Sequence, residues 1–152
     1  MKYLIPALLF ALIISCNEVK KKQQLDFRID NESEIESYLK DNNLTAEKST
    51  TGLYYIINNS GTGAQPVGSS NVTVAYKGYF TNKSVFDESD AEGISFGLQQ
   101  VIPGWTEGIT YFKEGGNGLL LVPSHLGYGS RDTRGIPGGS VLVFEVGLIS
   151  VN

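Results

Sequence analysis

One short amphipathic helix among a series of strands is the feature that most constrains how this chain can fold. Four segments are predicted to be strands from their apolar content or their alternation of apolar and polar residues: LYYII (53–57), VTVAYKGYF (72–80), GLLLVP (118–123) and SVLVFEVGLISV (140–151). Trp105, Ile109 and Phe112 recur at helical spacing and form a single apolar stripe. We expect this helix from Trp105 to about Lys113, with its stripe packed against the sheet.

The composition agrees with this arrangement and limits the kinds of function. The 152 residues include 18 glycines and five prolines, which favours a turn-rich β or α+β domain over a helical bundle. We therefore expect an α+β fold in which a curved antiparallel β-sheet wraps around one short amphipathic helix, as a domain over residues 50–152. The net charge of −4 argues against nucleic-acid binding, which needs a basic surface. With one cysteine and one histidine, neither a metal site nor another cofactor is expected.

The first 15 residues are predicted to be a signal peptide rather than part of the fold. Lys2 precedes an apolar stretch from Tyr3 to Ile14, which is too short to cross a bilayer as a mature helix. The pair Ser15-Cys16 that follows resembles the lipobox of bacterial lipoproteins, in which the cysteine receives acyl chains such as palmitate. The alternative is an ordinary secretory signal that is followed by an incidental cysteine.

Two further segments are expected between this signal and the domain. Residues 16–30 are polar and aperiodic, and we interpret them as a tether. Residues 31–49 are interpreted as a helical extension, with a helix over 31–43 that Asn31 or Ser33 caps. Its apolar residues share one face, so the helix is expected either to pack on the domain or to act as a spacer.

A long segment without periodicity separates the last two predicted strands. It reads PSHLGYGSRDTRGIPGG (123–139), and loops of this length in compact domains are usually functional or disordered. Leu126, Tyr128 and Ile136 argue against disorder, so we expect the segment to be a flap and refer to it as the flap. The single histidine, His125, is expected at the surface of this loop.

The motifs that carry a family resemblance follow one another along the last two thirds of the chain. They are VFD (85–87), QVIPGWTEG (100–108), LVPSHLGYG (121–129) and SVLVFEVGLISV (140–151). Together, in this order and at these spacings, they closely resemble the FKBP family of peptidyl-prolyl cis-trans isomerases. The resemblance runs from about Leu53 to Val151 and implies the FKBP-like fold already expected from the pattern of strands.

The resemblance also implies a role for individual residues. It assigns catalytic roles to Asp87, Ile102, Trp105 and Tyr128. Trp105 would lie under the bound proline ring, and Asp87 would lie on a polar rim. The Ile102 N–H and the Tyr128 hydroxyl would donate hydrogen bonds to the bound peptide. The other expected contacts with substrate are Tyr76, Phe86, Phe96, Val101, Ile136 and Phe144.

The function implied by the resemblance is isomerisation of X-Pro bonds in exported proteins through a desolvated aromatic pocket. The expected partners are proline-containing polypeptides, with macrolide inhibitors as candidate ligands. Lipidation of Cys16 would hold the protein on a membrane of the bacterial cell envelope, facing the extracytoplasmic side. Two alternatives stay open, namely a proline-peptide binding module or chaperone-like lipoprotein with little turnover, and a purely structural envelope lipoprotein.

Overall fold

The computed structural model describes residues 19, 21–22 and 27–152 of the chain. Seven strands are found within these residues: β1 (Glu47–Lys48), β2 (Tyr54–Asn59), β3 (Asn71–Tyr79), β4 (Val85–Glu88), β5 (Ile94–Gly97), β6 (Asn117–Val122) and β7 (Leu142–Val151). They form one antiparallel sheet in the order β1-β2-β6-β7-β3-β4. The strand β5 also pairs with β3, so that β4 and β5 follow one another along the edge of β3 that β7 leaves free.

An α-helix packs on each side of the sheet, and short 3-10 helices lie at Leu98–Gln100 and Ser124–Leu126. Helix α1 covers residues 27–41, and helix α2 (Pro103–Gly108) continues as a 3-10 turn over Ile109–Tyr111. The predicted α+β fold, with an antiparallel sheet around one short helix and a helical extension before it, is therefore confirmed. The second helix is shorter than expected because Phe112 adopts an extended conformation and its N–H bonds to the Ile109 carbonyl, which ends the helix on a tight turn.

The sheet has an apolar core on each face. Because side chains alternate along a strand, Leu120 and Leu121 on β6 belong to different cores. The first core contains the apolar stripe of α2 and its 3-10 turn, including Trp105 and Ile109. The second core contains the buried face of α1, where Ile35 is fully buried. The sheet is thus a layer between α2 on one side and α1 on the other.

Helix α1 differs from its prediction at both ends. It already includes residues 27–30, and residues 19, 21 and 22 are helical too, so all the described residues of the segment interpreted as an aperiodic tether are helical. The helix ends at residue 41 rather than 43. Asn31, predicted as the N-cap, lies inside the helix and uses its side chain to bond the flap. The short strand β1, within the predicted extension 31–49, pairs with β2, so the sheet begins before residue 50.

The predicted signal peptide at 1–15, Cys16 and part of the tether lie outside the described residues. Over residues 19, 21–22 and 27–152 the structure has no helix with the length and apolar character needed to cross a membrane. The strands β1, β4 and β5, which were not predicted, have two to four residues each and are too short to show a period in the sequence.

Candidate active site

A cavity of about 190 Å³ opens between β3, β4, β5, β7, the start of α2 and the flap. Its lining is mainly aromatic and aliphatic, with a small number of polar groups, as is usual for a ligand-binding site. The lining residues are Tyr76, Phe86, Asp87, Ile94, Phe96, Val101, Ile102, Trp105, Tyr128 and Phe144. The structure therefore brings nine of the ten residues expected from the sequence to one place. We refer to this cavity as the pocket.

Trp105 lies at the centre of the aromatic cluster. Pro103 occupies the first turn of α2, and Ile102 is its N-cap, so the indole follows directly on the start of the helix. The indole ring meets Tyr76 and Phe144 edge to face, with ring centroids 5.0 Å and 5.2 Å apart. Phe96 packs on it from β5 at 5.5 Å. Such geometries stabilise aromatic pairs beyond the burial of their area, so the indole is held by three neighbouring rings.

The indole N–H has no partner in the described part of the chain. Trp105 is 5% exposed, and its Nε1 atom is buried without a hydrogen-bond acceptor within residues 19, 21–22 and 27–152. A buried donor without an acceptor is costly and therefore needs an explanation, of which a role at a functional site is one. The tryptophan therefore combines a packing role in the core with an unused polar group beside the pocket.

A second aromatic pair, Phe86 and Phe144, forms the wall beside the sheet. Their rings meet edge to face with centroids 5.6 Å apart. Gly78 on β3 makes this packing possible, because a Cβ atom there would lie 2.8 Å from the Phe86 ring and 2.9 Å from the Phe144 ring. The glycine in YKGYF thus lets two aromatic rings rest directly on the backbone of the sheet.

The polar rim is formed by Tyr76 and Asp87. Asp87 is exposed on β4 opposite Gly78, and its Oδ2 atom accepts a 2.6 Å hydrogen bond from the Tyr76 hydroxyl. Burial raises the pKa of Tyr76 well above its ordinary value, and the hydrogen bond to Asp87 raises that pKa further. The tyrosine therefore stays protonated at neutral pH and holds the carboxylate at the edge of the pocket.

Two hydrogen-bond donors remain unused at the pocket. The Ile102 carbonyl accepts from the backbone N–H groups of Trp105 and Thr106, whereas the Ile102 N–H has no acceptor in the described part of the chain. The Tyr128 side chain is 39% exposed, and its hydroxyl bonds to no residue within the described ranges. Both donors belong to residues that line the pocket and are therefore available to a ligand there.

Three residues of the flap and its neighbourhood differ from the expectation. Ile136 is not among the residues that line the pocket; it is 5% exposed and packs in the core, where a pair of backbone hydrogen bonds to Thr133 holds it. His125, expected at the surface, is half-buried and its Nε2 atom lies 2.9 Å from the Thr51 carbonyl oxygen. Ile94 was not expected but lines the pocket. It lies two residues before Phe96 on β5 and therefore on the same face of the strand, and this spacing is the signal that could have identified it.

Comparison with known proteins decides the family. The family model for the FKBP-type peptidyl-prolyl cis-trans isomerase matches residues 63–149, more than half of the chain. The chain belongs to the FKBP family. The match includes β3 to β6, the flap, α2 and most of β7, and it contains every residue that lines the pocket.

The curated relatives of this FKBP chain are longer bacterial proteins. FkpA of Buchnera aphidicola subsp. Baizongia pistaciae, named as an FKBP-type isomerase, is 39% identical over 135 residues, which are 88% of this chain and 53% of the relative. FkpA of Escherichia coli K12 is 45% identical over 105 residues, 68% of this chain and 39% of the relative. The chain thus spans about half, or less, of the length of these two relatives.

Solved structures agree with the family. The crystal structure of FkpA from Escherichia coli has a TM-score of 0.73 at 35% identity and covers 100% of this chain, which spans 73% of that structure. The crystal structure of AtFKBP13 has a TM-score of 0.65 at 28% identity over 71% of this chain and 99% of its own. The first match extends over the whole chain and so includes helix α1.

Proposed function

We propose that this FKBP chain is a peptidyl-prolyl cis-trans isomerase that accelerates rotation about X-Pro bonds in exported proteins. The observation that carries the proposal is a largely apolar pocket in which aromatic rings surround Trp105, while two donors, the Ile102 N–H and the Tyr128 hydroxyl, have no acceptor among residues 19, 21–22 and 27–152. A proline ring is apolar and compact, and the carbonyl groups beside it need donors. The pocket offers both kinds of contact.

The reaction needs no acid, base or nucleophile, because it rotates a bond and breaks none. The barrier of about 18–20 kcal/mol comes from the double-bond character of the amide C–N bond. The planar amide is more dipolar than the twisted amide, so water stabilises the ground state more than the transition state. A pocket that excludes water removes this preference. An acceleration of 10⁵-fold requires roughly 7 kcal/mol, at about 1.4 kcal/mol for each factor of ten.

Each residue of the pocket then has a distinct part in this reaction. In the proposal, Trp105 lies under the proline ring, and the Ile102 N–H and the Tyr128 hydroxyl hold the carbonyl groups on either side of it. Asp87, fixed by Tyr76, contributes the electrostatic field of the rim and transfers no proton. The remaining walls that contact the substrate are Phe86, Phe96, Val101 and Phe144, joined by Ile94.

An isomerisation assay on an Xaa-Pro tetrapeptide tests the proposal. The wild-type protein is expected to accelerate the cis-to-trans step well above the uncatalysed rate, which has a time constant of tens of seconds. Tyr128→Phe should lower kcat/KM by roughly three- to tenfold, since one hydrogen bond to the substrate is lost. The matched control is Tyr111→Phe, because Tyr111 is a half-buried tyrosine that stacks on Tyr55 outside the pocket. A wild-type rate equal to the background would leave a binding module without turnover.

The substrate class and the location form a second part of the proposal. We infer a signal peptide at residues 1–15 and lipidation of Cys16, which would hold the protein at the bacterial cell envelope and give it access to exported polypeptides. Removing the acceptor thiol by Cys16→Ser should release the protein from the membrane fraction while isomerase activity is retained. Unchanged fractionation of this variant would contradict lipid anchoring.

Macrolide inhibitors are proposed ligands of the pocket around Trp105 and should compete with the tetrapeptide.

A further inference from the structure

The side-chain amide of Asn31 connects helix α1 to both ends of the flap. Its Oδ1 atom accepts a 2.7 Å hydrogen bond from the Ser124 N–H, near the start of the flap. Its Nδ2 atom donates a 2.7 Å hydrogen bond to the carbonyl of Gly139, the last residue of the flap. One side chain thus bonds to two backbone positions that are 15 residues apart in the sequence.

These two bonds close a ring of hydrogen bonds through the flap. The Ser124 carbonyl accepts from the N–H of Gly129 at 2.8 Å, and the Gly129 carbonyl accepts from the N–H of Gly139 at 2.9 Å. The Ser124 carbonyl also accepts from the Gly127 N–H at 3.0 Å. Tyr128 lies between Gly127 and Gly129, and the N–H groups of both glycines bond to the carbonyl of Ser124. Ser124 is also the residue whose own N–H bonds to Asn31, so the backbone on both sides of Tyr128 is connected to Asn31 through Ser124.

The environment of Asn31 shows that the connection is buried. Asn31 is 2% exposed and Ser124 is 4% exposed, the two buried polar residues of the described chain. Phe27, one turn earlier on α1, packs its ring against Gly139, where an added Cβ would collide with it. Asparagine is a poor residue for a helix interior, so its presence there is explained by these bonds rather than by helix propensity.

We propose that Asn31 is a positioning residue of the isomerase, whose side-chain amide fixes the flap so that Tyr128 stands at the pocket. Asn31 is remote from the substrate and acts only through the flap. The inference rests on the proposed function for its effect on catalysis, while the ring of hydrogen bonds itself is independent of that function. Helix α1 is then part of the working isomerase as well as a support for the sheet.

A double-mutant cycle with Tyr128 tests this role in the full chain. Asn31→Ala should lower kcat/KM of the wild type by no more than the roughly three- to tenfold loss expected for Tyr128→Phe. It should change kcat/KM of Tyr128→Phe by less than twofold, because both substitutions then remove the same contact. A merely structural role would lower both backgrounds by the same factor, and that result would overturn the proposal. Glu32→Gln is the matched control, since Glu32 is the next residue on α1, is exposed, and bonds to Lys48 and Tyr54 rather than to the backbone of the flap. Its activity should be unchanged.

Amide hydrogen exchange tests the ring without relying on activity. In Asn31→Ala the N–H groups of Gly129 and Gly139 should exchange at least tenfold faster, whereas the amides of β7 should be unaffected. If Asn31→Ala fails to fold, Asn31→Asp at pH 8 replaces it, because the carboxylate still accepts from Ser124 and can no longer donate to Gly139. Unchanged exchange at both glycines would overturn the proposal. A wild-type protein without isomerase activity would refute the proposed function. The amide exchange rates of Gly129 and Gly139 would still show whether Asn31 fixes the flap.

Discussion

The two walls of the pocket differ in what holds them in place. The strand wall lies on paired strands and consists of Tyr76, Phe86, Asp87, Ile94, Phe96 and Phe144. Within it, the Phe144 ring meets the rings of Tyr76 and Phe86 edge to face. The flap wall consists of Tyr128, which lies on a loop and makes no side-chain hydrogen bond in the described part of the chain. The strand wall is therefore fixed by the sheet, and the flap wall by the few backbone bonds that Asn31 closes.

This difference matches two separate requirements of the proposed reaction. A dry surface of fixed shape is needed to remove water from the amide, and paired strands with interlocked rings supply it. A donor that reaches the peptide must instead leave room for the chain to enter and leave, which a loop permits. Changes in the strand wall should therefore reduce stability and activity together, whereas changes in the flap wall should act mainly on activity.

The largest effect is expected from removing a ring of the strand wall. Phe144→Ala should reduce the free energy of unfolding by about 3–5 kcal/mol, because Phe144 is buried and contacts three other rings. Urea denaturation measures this loss, and the activity of the remaining folded protein should fall as well. Phe112→Ala is the matched control: it is fully buried in the same core and does not line the pocket. If Phe144→Ala and Phe112→Ala had equal isomerase activity per folded molecule, the strand wall would have no role in catalysis beyond stability.

A smaller effect is expected from crowding the same wall. Gly78→Ala places a methyl group against the rings of Phe86 and Phe144, so the rings must separate. Overpacking of this kind should cost about 1–3 kcal/mol of unfolding free energy and should lower kcat/KM. Thermal denaturation and the tetrapeptide assay measure the two changes. A variant with wild-type stability would show that the rings do not rest on the sheet at this position.

A glycine-to-alanine substitution in the flap distinguishes the contribution of the flap wall from that of the strand wall. Gly129 has φ +78° with open space where a Cβ would lie, so Gly129→Ala meets conformational strain and no collision. Strain of this kind should cost about 1–2 kcal/mol, which falls on the flap and displaces Tyr128. Activity should therefore fall further, relative to the loss of stability, than it does in Gly78→Ala. The opposite ratio, measured by the same two methods, would contradict the division of the pocket into two walls.

The smallest effect concerns the rim of the strand wall and depends on pH. Tyr76→Phe removes the hydrogen bond to Asp87 and should cost about 0.5–1.5 kcal/mol at pH 7. Because burial and then the Asp87 hydrogen bond raise the pKa of Tyr76 in the folded state, its contribution is complete below its ordinary pKa of about 10. That contribution is lost as pH rises further, so wild-type stability should fall above pH 10 more steeply than that of Tyr76→Phe. The free energy of unfolding of both proteins is measured by urea denaturation from pH 8 to 11. The same dependence on pH in the two proteins would contradict this contribution of Tyr76.

The sequence predicted what depends on local pattern and missed what depends on distant contacts. The strands β3 and β7 carry regular alternation. Seven residues of the pocket lie within the four motifs, and the family resemblance that these motifs carry implied Tyr76 and Phe96 as well. Ile94 was missed because β5 has only four residues, and Ile136 was misplaced because its orientation is set by the turn it makes with Thr133. Asn31 was interpreted as a cap because its partners, Ser124 and Gly139, lie 93 and 108 residues away in the chain.

Intrinsic fluorescence gives the most direct measurement of the central claim, that a proline peptide binds over Trp105. Trp105 is the single tryptophan of the chain, so the tryptophan emission reports on the pocket alone. Titration with an Xaa-Pro tetrapeptide should give a saturable change in emission, with a Kd equal to the constant at which that peptide inhibits isomerisation of a second substrate. Saturable binding by calorimetry with unchanged tryptophan emission would place the peptide elsewhere and would contradict the account.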